Sequence, residues 1–202
     1  MHTPRHARSL GELDEAELAP IVTAWQARRQ AARDEGFEYV QVLLNEGREA
    51  GASLPHSHSQ LVWLHEVPPA VAEELPNLER ERCALCNVLR EELLEVALKG
   101  DLSLRAAPAG RVPYELLIAP REHTAEPGED ALGDALTLLR EGICRLRELE
   151  GPVALNAWLH EGAHWHFELV PRLTVFAGLE LGAGLYVNWL APEEAAERLR
   201  GA

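Results

Sequence analysis

Two stretches of the chain repeat the same order of features, and this repetition restricts the fold more than anything else in the sequence. Residues 39–62 and 152–170 each contain an apolar segment that ends in asparagine, a glycine-containing turn, and a His-x-His pair that opens a second apolar segment. The asparagines are Asn45 and Asn156, and the histidine pairs are His56/His58 and His164/His166. We interpret the shared order as an internal duplication.

The duplication extends upstream of these stretches. Each copy carries a histidine in a Pro-Arg element, His6 in the first and His123 in the second. A segment with helical spacing of apolar residues follows each histidine, residues 10–35 in one copy and 128–150 in the other. We therefore predict two strand–helix–strand–strand units, with the boundary between them near Pro68–Pro69.

Local patterns predict the remaining elements. Alternating or continuous apolar runs bounded by glycine, proline or asparagine indicate strands, and spacings of three and four indicate helices. A Pro-Ala-Gly turn between two apolar runs indicates a hairpin. The predicted strands are 37–44, 58–64, 102–107 and 114–118, and further helices are predicted at 88–98 and 192–200.

Composition narrows the function classes. The chain has 202 residues and a net charge of −14, and it has no basic cluster, which argues against nucleic acid as a partner. No apolar run is long enough for a membrane span, and no secretory signal follows Met1, so we expect neither membrane insertion nor export. Three cysteines, of which Cys144 lies in a segment of helical apolar spacing, indicate a reducing compartment and a cytoplasmic location.

The first His-x-His pair suggests phosphorus chemistry. On a strand, His56, His58 and Gln60 would point to the same face, and three polar side chains in a row are costly to bury unless they bind something. The small residues of the Gly51–Ser53 stretch would let the backbone approach a bulky anion. The alternative is a polar edge strand that happens to contain histidines.

A Cys-x-x-Cys pair predicts a metal site in the second copy. Cys83 and Cys86, together with His123 and His164, would make the closed set of two sulfurs and two nitrogens that is typical of structural zinc. His166 competes for the fourth position. One alternative is redox chemistry, but the βαβ pattern that accompanies redox Cys-x-x-Cys pairs is missing here. The other alternative is a pair of buried thiols near unrelated histidines.

The first copy lacks the corresponding cysteines. His6 and His56 would be two ligands of a first metal site, but a matching Cys-x-x-Cys would fall ahead of Met1. We therefore expect either that the chain is truncated or that this first site has been lost.

Taken together, the motifs resemble the galactose-1-phosphate uridylyltransferase family of the histidine-triad superfamily, and most closely its branch of ADP-glucose phosphorylases. The resemblance covers essentially the whole chain, but roughly the N-terminal third of the family architecture has no counterpart. The matching motifs are Asn45-Glu46-Gly47, the run from Gly51 to Gln60, His164-Trp165-His166-Phe167, and the glycine-rich run from Gly178 to Asn188.

The resemblance implies an α+β, duplicated histidine-triad-like fold with an antiparallel sheet, flanking helices and an incomplete first repeat. Residues 1–69 would be the C-terminal part of the first repeat, and residues 70–202 the second repeat. It also implies nucleotidyl transfer between hexose 1-phosphates, with a nucleotide sugar as donor and a homodimer as the assembly. The alternatives are a nucleotide-sugar phosphorylase or hydrolase, and an inactive, zinc-stabilised homologue.

The matched motifs imply roles for individual residues. His58 matches the nucleophile that becomes nucleotidylated, and Gln60 matches the residue that hydrogen-bonds the phosphoryl group. Asn45 and Ser53 match positions that contact nucleotide and phosphate, and Glu180 lies in a segment that contacts the sugar phosphate.

The resemblance also implies zinc as the cofactor. His6 and His56 match ligands of the first zinc site. The second site of the two-zinc members is matched by Cys83, Cys86, His123 and His164. One departure is that Ser57 replaces the usual proline between the histidines, which loosens the motif.

Overall fold

A computed structural model describes all 202 residues and contains one antiparallel sheet of seven strands in the order β2-β1-β6-β7-β5-β4-β3. The strands are β1 (Tyr39–Glu46), β2 (Ser59–Leu64), β3 (Glu95–Lys99), β4 (Leu102–Ala106), β5 (Leu116–Pro120), β6 (Leu155–His160) and β7 (His166–Pro171). The α-helices are α1 (Glu15–Asp34), α2 (Pro69–Glu74), α3 (Ala84–Val88), α4 (Glu129–Glu150), α5 (Gly178–Ala183) and α6 (Pro192–Arg200). The predicted α+β class, with an antiparallel sheet and flanking helices, is confirmed.

The two predicted repeats, residues 1–69 and 70–202, meet in this sheet where β1 pairs with β6. Strands β1 and β2 come from residues 1–69, and the other five strands come from residues 70–202. The copies join through the antiparallel β1–β6 pair, where Asn45 is the register partner of Asn156. Each half also contains a pair of neighbouring antiparallel strands, β1 with β2 and β6 with β7. The His-x-His pair of each half lies at the start of the second strand of its pair.

Helices α1, α4 and α6 cover one face of the sheet. Asp14 caps α1 by accepting a hydrogen bond from the Glu17 backbone N–H, and the Glu17 side chain accepts in return from Asp14, a capping box. Helix α4 buries an apolar stripe with spacings of three and four residues, which packs onto the sheet. The stripe comprises Leu132, Leu136, Leu139, Ile143 and Leu146.

Alternation along the strands separates a core face from a polar face. The core face meets the helices and carries Val42, Leu44, Leu155, Leu159, Phe167 and Leu169, all buried. The register places the polar side chains of both copies on the opposite face. Those side chains are Asn45, Gln60, Asn156, His160, His166 and Glu168.

One predicted element is wrong, and several boundaries differ. The helix predicted at 88–98 does not form: Glu92–Leu94 is a 3-10 turn, and β3 follows as an edge strand that pairs with β4. Periodicity cannot separate strand from helix in so short an apolar run, and the backbone hydrogen bonds of the ladder favour the strand. The cysteine pair instead lies at the start of the short helix α3.

The other predicted elements form with shifted ends. Residues 10–35 are a 3-10 turn at Leu10–Glu12 followed by α1, because Asp14 caps a new helix. The predicted hairpin of β4 and β5 is confirmed, but β5 begins at Leu116 because Tyr114 has a positive φ of 58°, which ends extended structure. The helices predicted at 128–150 and 192–200 are confirmed as α4 and α6. No helix is both long and apolar enough to cross a membrane.

Candidate functional site

His58 lies immediately before β2, with its ring mostly buried and one ring nitrogen fixed. Its Nδ1 is 2.8 Å from the carbonyl oxygen of His56. A carbonyl only accepts hydrogen bonds, so Nδ1 must carry the proton and Nε2 keeps a free electron pair. This is the tautomer in which an imidazole can attack an electrophile through Nε2.

Asn45 and Gln60 lie on the same polar face as His58. The β1–β2 register pairs Leu44 with Ser59 and Leu43 with Gln60, so the next position of β1, Asn45, lies opposite His58. Gln60 is exposed. Asn45, His58 and Gln60 therefore occupy adjacent positions at one end of the β1–β2 ladder. The expected strand face of His56, His58 and Gln60 does not form as predicted, because β2 begins at Ser59.

Asn156 holds Asn45 in place, and the sequence analysis did not assign it a role. Its Nδ2 donates to Asn45 Oδ1 at 2.7 Å and to the carbonyl oxygen of Ala50 at 2.8 Å. The second bond ties the loop after β1 to β6. Because a bridging amide fixes both strand end and loop, Asn156 orients the Asn45 side chain relative to that loop.

A cavity of about 520 Å³ opens beside this end of the sheet, a volume typical of small-molecule sites. Asn45, Ser53 and His56 all contribute to its wall. Three arginines that the sequence analysis did not single out also line it: Arg8, Arg48 and Arg147. The cavity therefore combines amide, hydroxyl and imidazole groups with guanidinium charge in a chain of net charge −14.

Gly47 allows the cavity wall to close tightly. It has a φ of 83°, and a Cβ at this position would lie 2.6 Å from the Cβ of Ala154, which also lines the cavity. Both the backbone conformation and the close approach require glycine.

The structure brings Cys83, Cys86, His123 and His164 together, with their ligand atoms within 4.8 Å of one another. Both cysteine sulfurs lie near His164 Nδ1, at 3.2 and 3.5 Å. His164 Nε2 is 2.9 Å from the carbonyl oxygen of Pro120, so Nε2 carries the proton and Nδ1 is left for a metal. Two thiols and two imidazoles in this arrangement fit a tetrahedral zinc ion. His166 is not part of this group.

The first predicted metal site is only partly assembled. The rings of His6 and His56 lie with centroids 5.5 Å apart. No third histidine, cysteine or carboxylate forms a metal-binding group with this pair.

Glu180 does not line the cavity of its own chain. It is the third residue of α5, and its carboxylate accepts from the Ala177 backbone N–H at 2.9 Å. Backbone hydrogen bonds of this kind lower its pKa. The surrounding segment, residues 173–189, exposes an unusual number of large apolar side chains. They include Val175, Leu181, Leu185, Val187 and Trp189.

A second polar cluster, which the sequence analysis did not predict, lies on the same sheet face in the second copy. Glu74, His160, His166 and Glu168 have ligand atoms within 4.8 Å of one another. Burial alone would lower the pKa of His166, but hydrogen bonds to Glu168 and Glu74 raise it to about 9. Burial would likewise raise the pKa of Glu74, but hydrogen bonds from His160 and His166 lower it to about 2.

This cluster makes the two copies chemically unequal. His166 occupies the position of His58 and Glu168 that of Gln60, and His166 Nδ1 faces the carbonyl oxygen of His164 at 3.2 Å. Its Nε2, however, faces Glu74 at 3.3 Å. The sequence could have indicated Glu168, because it follows His166 by two residues and so shares its strand face. It could not have indicated Glu74, which lies on α2, far from His166 in sequence.

Comparison with known proteins identifies the relatives of this chain. Residues 1–69 match the family described as galactose-1-phosphate uridyl transferase, N-terminal domain. The chain is 30% identical to an ADP-glucose phosphorylase from Arabidopsis thaliana over 99% of its own length and 62% of that protein. It is 25% identical to a galactose-1-phosphate uridylyltransferase from Thermotoga maritima, over 99% of this chain and 72% of the relative.

A solved structure supports the same relationship. The crystal structure of an ADP-glucose phosphorylase from Arabidopsis thaliana with bound ADP-glucose superimposes with a TM-score of 0.89 at 27% identity, covering all of this chain and 71% of that one. The fold that the motifs implied is thereby confirmed. The chain spans less than two thirds of the length of its plant relative.

Proposed function

We propose that the chain, which is similar over nearly its whole length to galactose-1-phosphate uridylyltransferases and an ADP-glucose phosphorylase, is a nucleotidyltransferase of that family. It moves a nucleoside monophosphate between hexose 1-phosphates through a covalent nucleotidyl-histidine at His58. The observation that carries the proposal is the hydrogen bond from His58 Nδ1 to the His56 carbonyl oxygen, which leaves Nε2 as the nucleophile.

The reaction proceeds in two balanced steps. His58 Nε2 attacks the α-phosphorus of a nucleotide sugar, a P–N bond forms, and the P–O bond to the hexose 1-phosphate breaks with its electron pair. An oxygen of the second hexose 1-phosphate then attacks the same phosphorus, and the P–N electron pair returns to the imidazole. The hexose 1-phosphate released in the first step leaves before the acceptor hexose 1-phosphate enters, so one site serves both sugar phosphates.

The surrounding groups support charge stabilisation and positioning. Gln60, on the His58 face of the sheet, would donate its amide to a phosphoryl oxygen, and the Ser53 hydroxyl with nearby backbone N–H groups would bind another. Asn45, held by Asn156, would contact the nucleotide. Of these groups, Asn45 is fixed before substrate arrives, so it needs little reorganisation during the transfer.

We propose that zinc is bound by Cys83, Cys86, His123 and His164, and that it ties the loop before β7 to helix α3. Such a closed site contributes folding energy. No catalytic step requires it. We also propose a cytoplasmic location, because a reducing compartment favours metal binding by the Cys83/Cys86 pair.

We further propose a homodimer in which residues 173–189 of one copy meet the other. Val175 and Trp189 are 88% and 68% exposed, and a large exposed apolar patch marks an interaction surface. This assembly would let Glu180 act in the partner's cavity, since it does not line its own.

Light scattering should give twice the chain mass for the wild type and one chain mass for Leu181→Asp. The control is Leu93→Asp, which changes an exposed leucine outside the segment; a monomeric wild type would contradict the proposal.

Phosphorolysis is the second candidate function, because an ADP-glucose phosphorylase is 30% identical. The same adduct at His58 would then pass its nucleotide to inorganic phosphate. Release of a nucleoside diphosphate that depends on phosphate would identify this activity, and hexose 1-phosphate exchange without phosphate would identify the transferase.

The deciding experiment measures the adduct directly. We expect wild-type protein incubated with UDP-glucose or ADP-glucose to gain the mass of one nucleoside monophosphate, and His58→Ala to gain none. His65→Ala, an exposed histidine beyond the end of β2, is the matched control and should form the adduct. No mass gain with any nucleotide sugar would leave the non-catalytic, zinc-stabilised homologue as the better description.

A further inference from the structure

Residues near the start of the chain fold against the His56–His58 segment and hold its middle residue. Ser57 is 1% exposed and lies between the two histidines. Its backbone N–H donates to the carbonyl oxygen of Ala7 at 2.7 Å, and its own carbonyl oxygen accepts from the His2 backbone N–H at 3.1 Å. A backbone held on both sides in this way has little freedom to rotate.

The side chains add a third bond to this arrangement. His2 Nδ1 lies 2.8 Å from Ser57 Oγ, and both residues are buried. We call His2, Ala7 and Ser57, with these three hydrogen bonds, the Ser57 clamp. The clamp acts on the peptide units on either side of Ser57, and the His56 carbonyl in the first of these units accepts the hydrogen bond from His58 Nδ1. The orientation of His58 Nε2 therefore depends on a carbonyl that the clamp holds.

His2 occupies this position at a cost to folding. Its ring is 8% exposed, and Nε2 is buried with no hydrogen-bond partner. Burial, with the nearby N-terminal ammonium and the rings of His58 and His56, lowers its pKa to about 3, so the ring is neutral at physiological pH. A buried polar atom without a partner is rare in folded proteins and asks for an explanation other than stability.

We propose that His2 is a positioning residue for the transfer, acting through Ser57 to keep the His56 carbonyl, and hence His58 Nε2, in the orientation that attack on phosphorus requires. This inference rests on the proposed function of His58. It assigns His2 no contact with the substrate.

The test separates positioning from folding. His2→Phe removes the unpartnered Nε2, but it also removes the hydrogen bond to Ser57 Oγ and adds ring volume at a buried site, so we expect a modest fall in melting temperature and measure the rate at a temperature where the variant stays folded. The single-turnover rate of adduct formation at His58 should nevertheless fall about tenfold, with the dissociation constant for the nucleotide sugar unchanged. His2→Asn, which keeps a hydrogen-bonding atom near the place of Nδ1, should recover most of the rate. A fall in rate that simply follows a fall in melting temperature would overturn the proposal.

A double-mutant cycle tests whether His2 acts through Ser57. The pair His2→Phe and Ser57→Ala should be no slower than the slower single variant, because both remove the same bond. Ser59→Ala is the control, since it removes a hydrogen bond of the same length, 2.8 Å from Trp25 Nε1, on the other face of β2. It should leave the rate within twofold. Additive effects, or an equal loss in Ser59→Ala, would count against the clamp.

A measurement without substrate keeps this inference separate from the proposed activity. Nitrogen-15 spectra of the histidine rings report the tautomer of His58. We expect wild type to hold the Nδ1–H tautomer and both His2→Phe and Ser57→Ala to show a mixture of the two tautomers. If the wild type forms no adduct, the proposed function is wrong, but the spectra still show whether the Ser57 clamp sets the tautomer of His58. Unchanged spectra in both variants would refute the clamp.

Discussion

Asn156 donates a 2.7 Å hydrogen bond to Asn45 across the ladder that joins the two halves of the sheet. The two asparagines occupy equivalent positions in the two stretches of similar sequence pattern, so these stretches meet at the candidate site. Of the two asparagines, only Asn45 lines the 520 Å³ cavity described above. The second copy thus contributes a supporting residue to the site of the first.

Replacing this supporting amide should weaken substrate binding as well as folding. We expect Asn156→Ala to raise KM for the nucleotide sugar about tenfold, because Asn45 and the loop at Ala50 lose a shared donor, and to lower the free energy of unfolding by about 1–2 kcal/mol. Steady-state kinetics and urea unfolding measure the two effects. Ser103→Ala, which removes a buried hydrogen bond to Arg105 at the far side of the sheet, should reduce stability and leave KM unchanged. Equal KM changes in both variants would contradict the assignment.

Zinc content should depend on Cys86 and be independent of Cys144. We expect about one zinc per wild-type chain, and loss of that zinc with a clear fall in melting temperature in Cys86→Ser, since a closed Cys2His2 site contributes folding energy. Cys144→Ser is the matched control, because Cys144 lies outside the proposed zinc site and its sulfur contacts the Gly11 carbonyl oxygen at 3.4 Å. Metal analysis after exhaustive dialysis measures the content, and retention of zinc by Cys86→Ser would refute the proposed ligand set.

Much of the proposed metal site could be predicted because the two similar stretches of sequence place histidines at matching positions. Cys83 and Cys86 lack partners in their own neighbourhood, and the duplication pointed to His123 and His164 at matching positions. Spacing also pointed to phosphorus chemistry at the His56/His58 pair, whereas the choice of His58 as the nucleophile came from the family resemblance. These inferences need only order and alternation, which a sequence carries directly.

Other features depend on contacts that local patterns do not encode. Glu74 reaches His160 and His166 from a short helix far away in sequence, so its role follows only from the folded chain. Strand β3 looks helical because its apolar residues are too few to define a period, and pairing with β4 decides its conformation. The guanidinium of Arg147 enters the cavity wall from α4, a helix whose pattern indicated only core packing.

The Glu74–His166 contact should make stability depend on pH in a defined window. The pKa of His166 is raised from 6.5 to about 9, so its contribution is complete below pH 6.5 and is lost as pH rises through 9. The pKa of Glu74 is lowered from 4.5 to about 2, so its contribution is complete above pH 4.5 and is lost as pH falls through 2. Both contributions are therefore complete between pH 4.5 and 6.5.

Within that window, Glu74→Gln should lower the free energy of unfolding by about 2 kcal/mol. This loss is smaller than for a fully buried ion pair, because the Glu74 side chain is one third exposed and solvent screens the interaction. The difference from wild type should shrink as pH rises from 6.5 through 9. Thermal unfolding at a series of pH values measures it. Glu73→Gln, on the exposed side of α2, is the control, and a difference that stays constant up to pH 10 would exclude the ion pair.

Gly47 and Gly36 provide a matched pair for the closed cavity wall. Both have positive φ, 83° and 84°, but a Cβ at Gly47 would lie 2.6 Å from Ala154 Cβ, whereas nothing lies within 4 Å at Gly36. Gly36→Ala should therefore lower the free energy of unfolding by the backbone cost alone, about 1 kcal/mol. Gly47→Ala should cost about 2 kcal/mol more, because β6 or the loop must move and because its ψ of 153° at positive φ is accessible almost only to glycine. The same movement should raise KM for the nucleotide sugar in Gly47→Ala only; similar stability and KM in the two variants would mean that the wall yields without affecting the site.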